Sequence, residues 1–141
     1  MVVDTGVLIS AFAFGGVPKA AILHLSEKAE VWVSPDLLNE YRQVPLDLQE
    51  ESKITHDQLK IILAGIAAFL SDARITYPCK PIRICRDEED NRILECCAEA
   101  RVDYLITGDK DLLEIDLNTL RKVGLTHLKI LNPRSALSEF Q

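Results

Sequence analysis

The sequence predicts an α/β domain with a mostly parallel central sheet. Two observations carry this reading. Short β-like apolar runs alternate with longer helical ones along the whole chain. No internal repeat, low-complexity tract or linker interrupts them, so all 141 residues read as one domain, 1–141.

The elements follow in order. Met1-Val-Val-Asp4 reads as a buried first strand, extendable along the apolar run to Leu8. FGGVPKAAILHLSEKA gives a Gly-Gly loop and then a helix with Pro18 near its first turn. VWVS is a short strand, and Ser34 caps the helix PDLLNEYRQV, with Pro35 at its first position. Residues 45–53 read as a short polar helix or loop. Thr55 and Gln58 stand at capping-box spacing and open THDQLKIILAGIAAFLSDA, the expected longest helix, where Gly65 permits close packing. RITYPCKPIRICR is extended and broken by Pro78 and Pro81. DEEDNRILECCAEARV is a helix with four acids in its start, and DYLITGD is a buried strand ending in a turn. KDLLEI is a short helix or loop, LKIL a last strand, and Asn132-Pro133 caps a terminal helix.

Composition excludes several classes. No apolar run reaches the roughly 18 residues of a membrane span, and no basic region precedes an apolar stretch as in a secretory signal. Cys79, Cys85, Cys96 and Cys97 lack C-x-x-C spacing, which argues against a zinc site or disulfide framework and for buried free thiols in a reducing cytoplasm. The net charge of −6 disfavours broad nucleic-acid binding through a basic surface. It leaves room for a nucleic-acid enzyme whose carboxylates hold cations.

Acids recur where such an enzyme needs them. Asp4 ends the first strand, Asp109 ends DYLITGD, and Asp87, Glu88, Glu89 and Asp90 begin a helix. In an open parallel sheet the carboxyl ends of strands and the following helix starts share the edge where ligands bind. Glu40 lies beside the apolar face of its helix, which is formed by Leu37, Leu38, Tyr41 and Val44. Converging carboxylates repel and need a counter-charge. Mg²⁺ or Mn²⁺ supplies it through oxygen ligands and can promote phosphoryl displacement. Taken singly, each acid also has an ordinary reading as a cap, first-turn or solvated helix residue.

Asp4-Thr5-Gly6 also matches half of an aspartic protease site, but that chemistry needs two such loops, and the chain has one. No G-x-G-x-x-G follows the first strand, as a Rossmann binder requires, and no D-x-D marks an aspartyl-phosphate enzyme.

VVDTGVLIS, the Glu in SPDLLNEYRQV, DEEDNRILECCAEARVDYLITGDKDLL and the closing strand-helix, in that order, together resemble a PIN domain, and more narrowly the PIN-type toxins of prokaryotic toxin–antitoxin systems. The resemblance implies a three-layer α/β/α sandwich and an Mg²⁺- or Mn²⁺-dependent ribonuclease. It assigns Asp4, Glu40, Asp90 and Asp109 to the metal and catalytic site. Thr107 is the accompanying hydroxyl, and Asp87 and Asp111 are auxiliaries. Many relatives carry Asn where this chain has Gly6, which implies a less supported Asp4. The alternative is a catalytically weak RNA- or protein-binding module of the same fold. Lys19, Arg42, Arg86, Arg92 and Lys110 are candidates to hold an RNA backbone. The resemblance also implies an antitoxin partner and a homodimer, and the free cysteines place it in the cytoplasm. LKIILAGIAAFL, apolar around most of its circumference, points to the same dimer, because a helix lying on a sheet needs only an apolar stripe.

Overall fold

The structure is a computed structural model and describes residues 1–140; the expected domain end at residue 141 lies just outside. Strands β1 (Val2–Val3), β2 (Trp32–Val33), β3 (Arg74–Ile75), β4 (Tyr104–Ile106) and β5 (Lys129–Leu131) are short. Every pairing among them is parallel: β1 with β4, β4 with β5, and β2 with β3. The Trp32 N–H donates to the Met1 carbonyl at 2.9 Å and joins the two ladders in the order β3-β2-β1-β4-β5. Val2, Val3, Leu105 and Ile106 are fully buried, as a sheet covered on both faces requires.

Strand order places the helices. The chain moves outward from β1 to β2 to β3, then returns past β1 to β4 and β5. Right-handed crossovers in opposite directions put their helices on opposite faces. Accordingly α1 (Thr5–Phe14), α2 (Gly16–Ser26), α3 (Pro35–Glu50) and α4 (His56–Phe69) pack as one group, joined by α8 (Pro133–Glu139) against α2. On the other face α5 (Glu88–Ala100) packs on β1 and β2, and α6 (Lys110–Leu113) on β5, followed by α7 (Leu117–Lys122). The result is the expected α/β/α sandwich. The reversal of strand order lies between β1 and β4, where α/β sheets open a crevice at their carboxyl edge.

Most caps fall where the sequence places them. Ser34 Oγ accepts from the Leu37 N–H, Thr55 and Gln58 close a capping box, and Asn132 Oδ1 accepts from the Ser135 N–H at 2.7 Å. Several elements differ from expectation. The first strand stops at Val3, and the run to Leu8 is helical, because Asp4 is an extended N-cap for α1. A short apolar run reads alike as buried strand or buried helix. Gly15, at φ 73°, then turns the chain by 113° into α2, a conformation that favours glycine. Helix α3 continues through Pro45 to Glu50 and, at 16 residues against 14, is longer than α4. Pro45 lacks an N–H for the helix ladder, but its ring is buried against the core. The sequence reading did not anticipate α7. Cys96 and Cys97 are buried free thiols as expected, whereas Cys79 is exposed and Cys85 half-buried.

Among the described residues no single helix is long and apolar enough to cross a membrane. Helix α4 buries Leu59, Ile62 and Ile66 against α1 and α3, and leaves Ile61, Ala64, Ala67 and Ala68 exposed. A Cβ on Gly65 would lie 2.4 Å from the Phe12 ring, so the close approach of α1 and α4 depends on that glycine. Gly65→Ala should therefore destabilise the fold by about 1–3 kcal/mol in urea melts, although alanine favours helices. A neutral or stabilised variant would show that the two helices do not meet there.

Candidate functional site

Asp4 is placed by backbone. Its N–H donates to the Ile106 carbonyl at 2.9 Å, which fixes the end of β1 against the end of β4. One residue further along β4's path, the Thr107 N–H donates to the Leu131 carbonyl at 2.9 Å. The Thr107 side chain is fully buried. Its hydroxyl donates to Asp4 Oδ2 at 2.6 Å and accepts from the Asp109 N–H at 3.1 Å. A single hydroxyl thus sets the carboxylate of one strand and the turn after its neighbour. Asp109 in turn caps α6, accepting from the Asp111 N–H at 2.9 Å.

Asp90 approaches from the opposite layer, on the first turn of α5 that Asp87 caps through the Glu89 N–H. The preceding extended segment is bound to this helix by Asn91, only 2% exposed. Its Oδ1 accepts from the Ile84 and Cys85 N–H groups at 3.1 and 2.8 Å, and its Nδ2 donates to the Cys85 carbonyl. Glu95 Oε2 accepts from the Ile82 N–H one turn later. The sequence reading missed Asn91, yet its spacing gives a signal. It shares the helix phase of Leu94 and Ala98, so it is a polar residue on a buried stripe and must be hydrogen-bonded.

Carboxylate oxygens of Asp90, Asp109 and Asp111 lie within 4.8 Å of one another. Asp111 therefore belongs to the central group rather than to its margin, and Arg86 donates to its Oδ2 at 2.8 Å. Asp4 and Glu40 stand outside this tightest group. Glu40 Oε1 instead accepts from the Thr5 hydroxyl at 2.7 Å, one residue beyond Asp4. Its helix is anchored because the buried Tyr41 hydroxyl, whose pKa burial raises well above normal, donates to the Val3 carbonyl. Asp87 is a helix cap near the cluster.

The charges are felt. Burial pushes Asp90 up to about 7, and Asp109, Asp87, Asp4 and Asp111 add to it. Burial raises Asp4 too, against the lowering effect of the Thr107 hydroxyl and the Thr5 N–H. Glu40 is raised by burial and by Glu89, Asp4 and Asp87, against its bond from Thr5. Cys85, pushed to about 11 by burial and the same carboxylates, remains a thiol at neutral pH.

These residues fit a hard divalent cation. The oxygens of an octahedral site with bonds of about 2.1 Å lie up to about 4.2 Å apart, so a 4.8 Å group closes with small side-chain movements. The donors are carboxylate oxygens, and the one nearby sulfur is protonated, which suits Mg²⁺ or Mn²⁺ better than a soft ion.

The raised pKa of Asp90 has a sign. Without metal the folded protein keeps this proton to near pH 7, whereas the unfolded chain releases it near pH 4. Stability is therefore present below the unfolded value and falls as pH rises across that window, with Asp4 and Glu40 acting in the same direction. In urea melts with chelator, Asp90→Asn should exceed wild type by at least ~1 kcal/mol at pH 8 and lose that advantage near pH 4.5. Parallel pH curves for the two proteins would contradict this.

Comparison with known proteins agrees with the geometry. The chain matches the PIN domain family over residues 1–111, a span that holds Asp4, Glu40, Asp90, Thr107, Asp109 and Asp111. It is 33% identical to the uncharacterized protein MJ1680 of Methanocaldococcus jannaschii, over all of this chain and 91% of that protein. No solved structure matches it significantly. The chain therefore belongs to the PIN domain family, whose members are typically nucleases that use divalent metal ions.

Proposed function

We propose that the protein is an Mg²⁺- or Mn²⁺-dependent endoribonuclease, the toxin of a toxin–antitoxin pair. The observation that carries the catalytic reading is the group of Asp90, Asp109 and Asp111 beside Asp4 at the strand-order reversal. Asp90, Asp109 and Asp111 would hold the cation, with Asp4 turned toward it by Thr107. A bound cation would polarise the phosphodiester and acidify a water molecule. Glu40, half-buried and raised in pKa, would orient the attacking water and accept its proton. Gly6 does not leave Asp4 unsupported, because Thr107 supplies the hydrogen bond.

RNA contacts would come from basic side chains at the rim. Arg92 lies in a groove with Glu40 between α3 and α5, while Lys19, Arg42 and Lys110 are exposed. Arg86 is engaged with Asp111 and would act through it. The remaining parts of this reading are an antitoxin partner, a cytoplasmic setting and a homodimer. The exposed Ile61 and alanines of α4 support the dimer.

The test is cleavage of RNA with Mn²⁺ and with chelator. Wild type should cut only with metal, and Asp4→Asn, Asp90→Asn and Asp109→Asn should each lose at least about 100-fold, as removal of a group acting in a concerted site does. Thermal melts should rise with Mn²⁺ in wild type and much less in Asp90→Asn. Metal-linked melts without cleavage would identify a binding module. Light scattering should give twice 15.8 kDa, and Ile61→Glu, at an exposed position, should yield a folded monomer. A wild-type monomer at micromolar concentration would remove the dimer.

A further inference from the structure

A strip of chain leads away from the carboxylates along α5, and its hydrogen bonds give its course. The Cys79 thiol donates to Glu99 Oε1 at 3.8 Å. The Ile82 N–H donates to Glu95 Oε2 at 3.0 Å, and the Ile84 and Cys85 N–H groups donate to Asn91 Oδ1. Residues 79–85 therefore run antiparallel to α5, over roughly 12 Å of its axis at about 1.5 Å per residue. Arg86 follows and reaches Asp111 at 2.8 Å. Ile82 is buried beneath the strip, whereas Lys80, Arg83 and Arg86, each three residues from the last, are exposed. Pro81 fixes φ within it, so these charges stand on a stiff and tethered backbone.

The far end of the strip opens into a cavity of about 520 Å³, in which Lys80 is joined by Arg101 and Lys122. Its acids are Glu95, committed to the Ile82 N–H, and Glu99, which takes the Cys79 thiol. Among the described residues the basic side chains in ion pairs are Lys53, Arg74, Arg86 and Lys129, so Lys80, Arg83, Arg101 and Lys122 are left without a carboxylate partner. Helix dipoles account for a cation at the end of α5 or α7, but Lys80 and Arg83 belong to no helix. Arg101 takes φ 55° where helices ordinarily end in glycine, so its side chain is carried at a backbone cost. In a chain of net charge −6, four such cations on one path mark it for an anionic ligand. The path exceeds the reach of one phosphate group and ends at the carboxylates proposed to act on a phosphodiester. That fits a polyanionic strand rather than a single small anion.

Resting on the ribonuclease reading above, we infer that this strip is a track for the phosphates of the substrate RNA on one side of the scissile bond. Arg83 and Lys80 hold phosphates beyond Arg86, and Arg101 and Lys122 hold the strand where the track ends in the cavity. These contacts are to the RNA backbone, so they add affinity and position the strand without reading its sequence.

The experiment compares two triple variants that lower the positive charge equally. Lys80→Gln/Arg83→Gln/Lys122→Gln strips the track, and Lys28→Gln/Lys53→Gln/Lys60→Gln removes three exposed lysines from the opposite layer. Binding of a 5′-fluorescein-labelled RNA of mixed sequence, about 12 nucleotides long, is read by anisotropy with Ca²⁺ in place of Mn²⁺, so that cleavage does not intervene. Salt is varied over about 50–200 mM. At the lowest salt the track variant should bind at least about tenfold more weakly than wild type, and its plot of log K against log salt should be shallower by about two, because each phosphate neutralised on a single strand contributes about 0.7. Arg83→Gln alone should reduce the slope by about 0.7. The control variant should stay within about twofold of wild type, since charges beyond a Debye length are screened. The Mn²⁺-induced melting shift should be unchanged in every variant. Equal weakening in the two triple variants would reduce the effect to net charge and overturn the inference, as would an unaltered salt slope in the track variant. Loss of the Mn²⁺ shift in the track variant would mean that the strip serves the carboxylates instead, and would overturn it too. Millimolar AMP that displaces the RNA from wild type but not from the track variant would assign the cavity to a free nucleotide, with the same consequence. Wild type that binds Mn²⁺ but no RNA would sink the ribonuclease reading itself, and this inference with it.

Discussion

Carboxylates within 5 Å of one another repel, and a fold that assembles them must hold each by interactions the repulsion cannot undo. Here the restraint is mainly backbone register. The pairing of β1 with β4 brings Asp4 beside Thr107, and the following turn carries Asp109 and Asp111. Thr107 matters beyond its size because its hydroxyl serves both sides of this junction: it donates to one acid and accepts from the backbone of the next. Burial, with the neighbouring carboxylates adding to it, lifts Asp90 to about 7. A cation held there would favour the ionised carboxylates.

Topology explains why this edge is the place. Helices α1 to α4 and helix α5 lie on opposite faces because the strand order reverses between β1 and β4. Only there can residues from a strand end, a following turn and a helix start of the opposite layer approach one another. Glu40 comes from the first layer and is held at one remove through Thr5, while Tyr41, its neighbour on α3, ties that helix to β1. Glu40 also lines a polar groove with Arg92 between α3 and α5.

Much of this was legible in sequence because caps and strand ends have local chemistry. Ser34-Pro35, Thr55 with Gln58 and Asn132-Pro133 announce their helices within a few residues. Asp4, Asp90, Asp109 and Thr107 could be singled out from their positions at element ends together with the family resemblance. What was not legible depends on tertiary contacts. The apolar run after Asp4 has no periodicity to separate strand from helix, and α3 passes through Pro45 because its ring finds a buried site. The rank of Asp111 above Asp4 in the tightest group depends on a turn geometry that spacing does not reveal. Asn91 had a readable signal, a polar residue on the buried stripe of α5, but its partners lie in the irregular segment before the helix.

The central claim is that these carboxylates form one divalent-cation site rather than a set of separate helix caps. The most direct measurement is an anomalous difference map from a crystal soaked in Mn²⁺. A single strong peak among the carboxylates of Asp90, Asp109 and Asp111, with Asp4 in contact directly or through water, is the predicted result. An ordered site without a peak, or Mn²⁺ bound only elsewhere on the acidic surface, would contradict it.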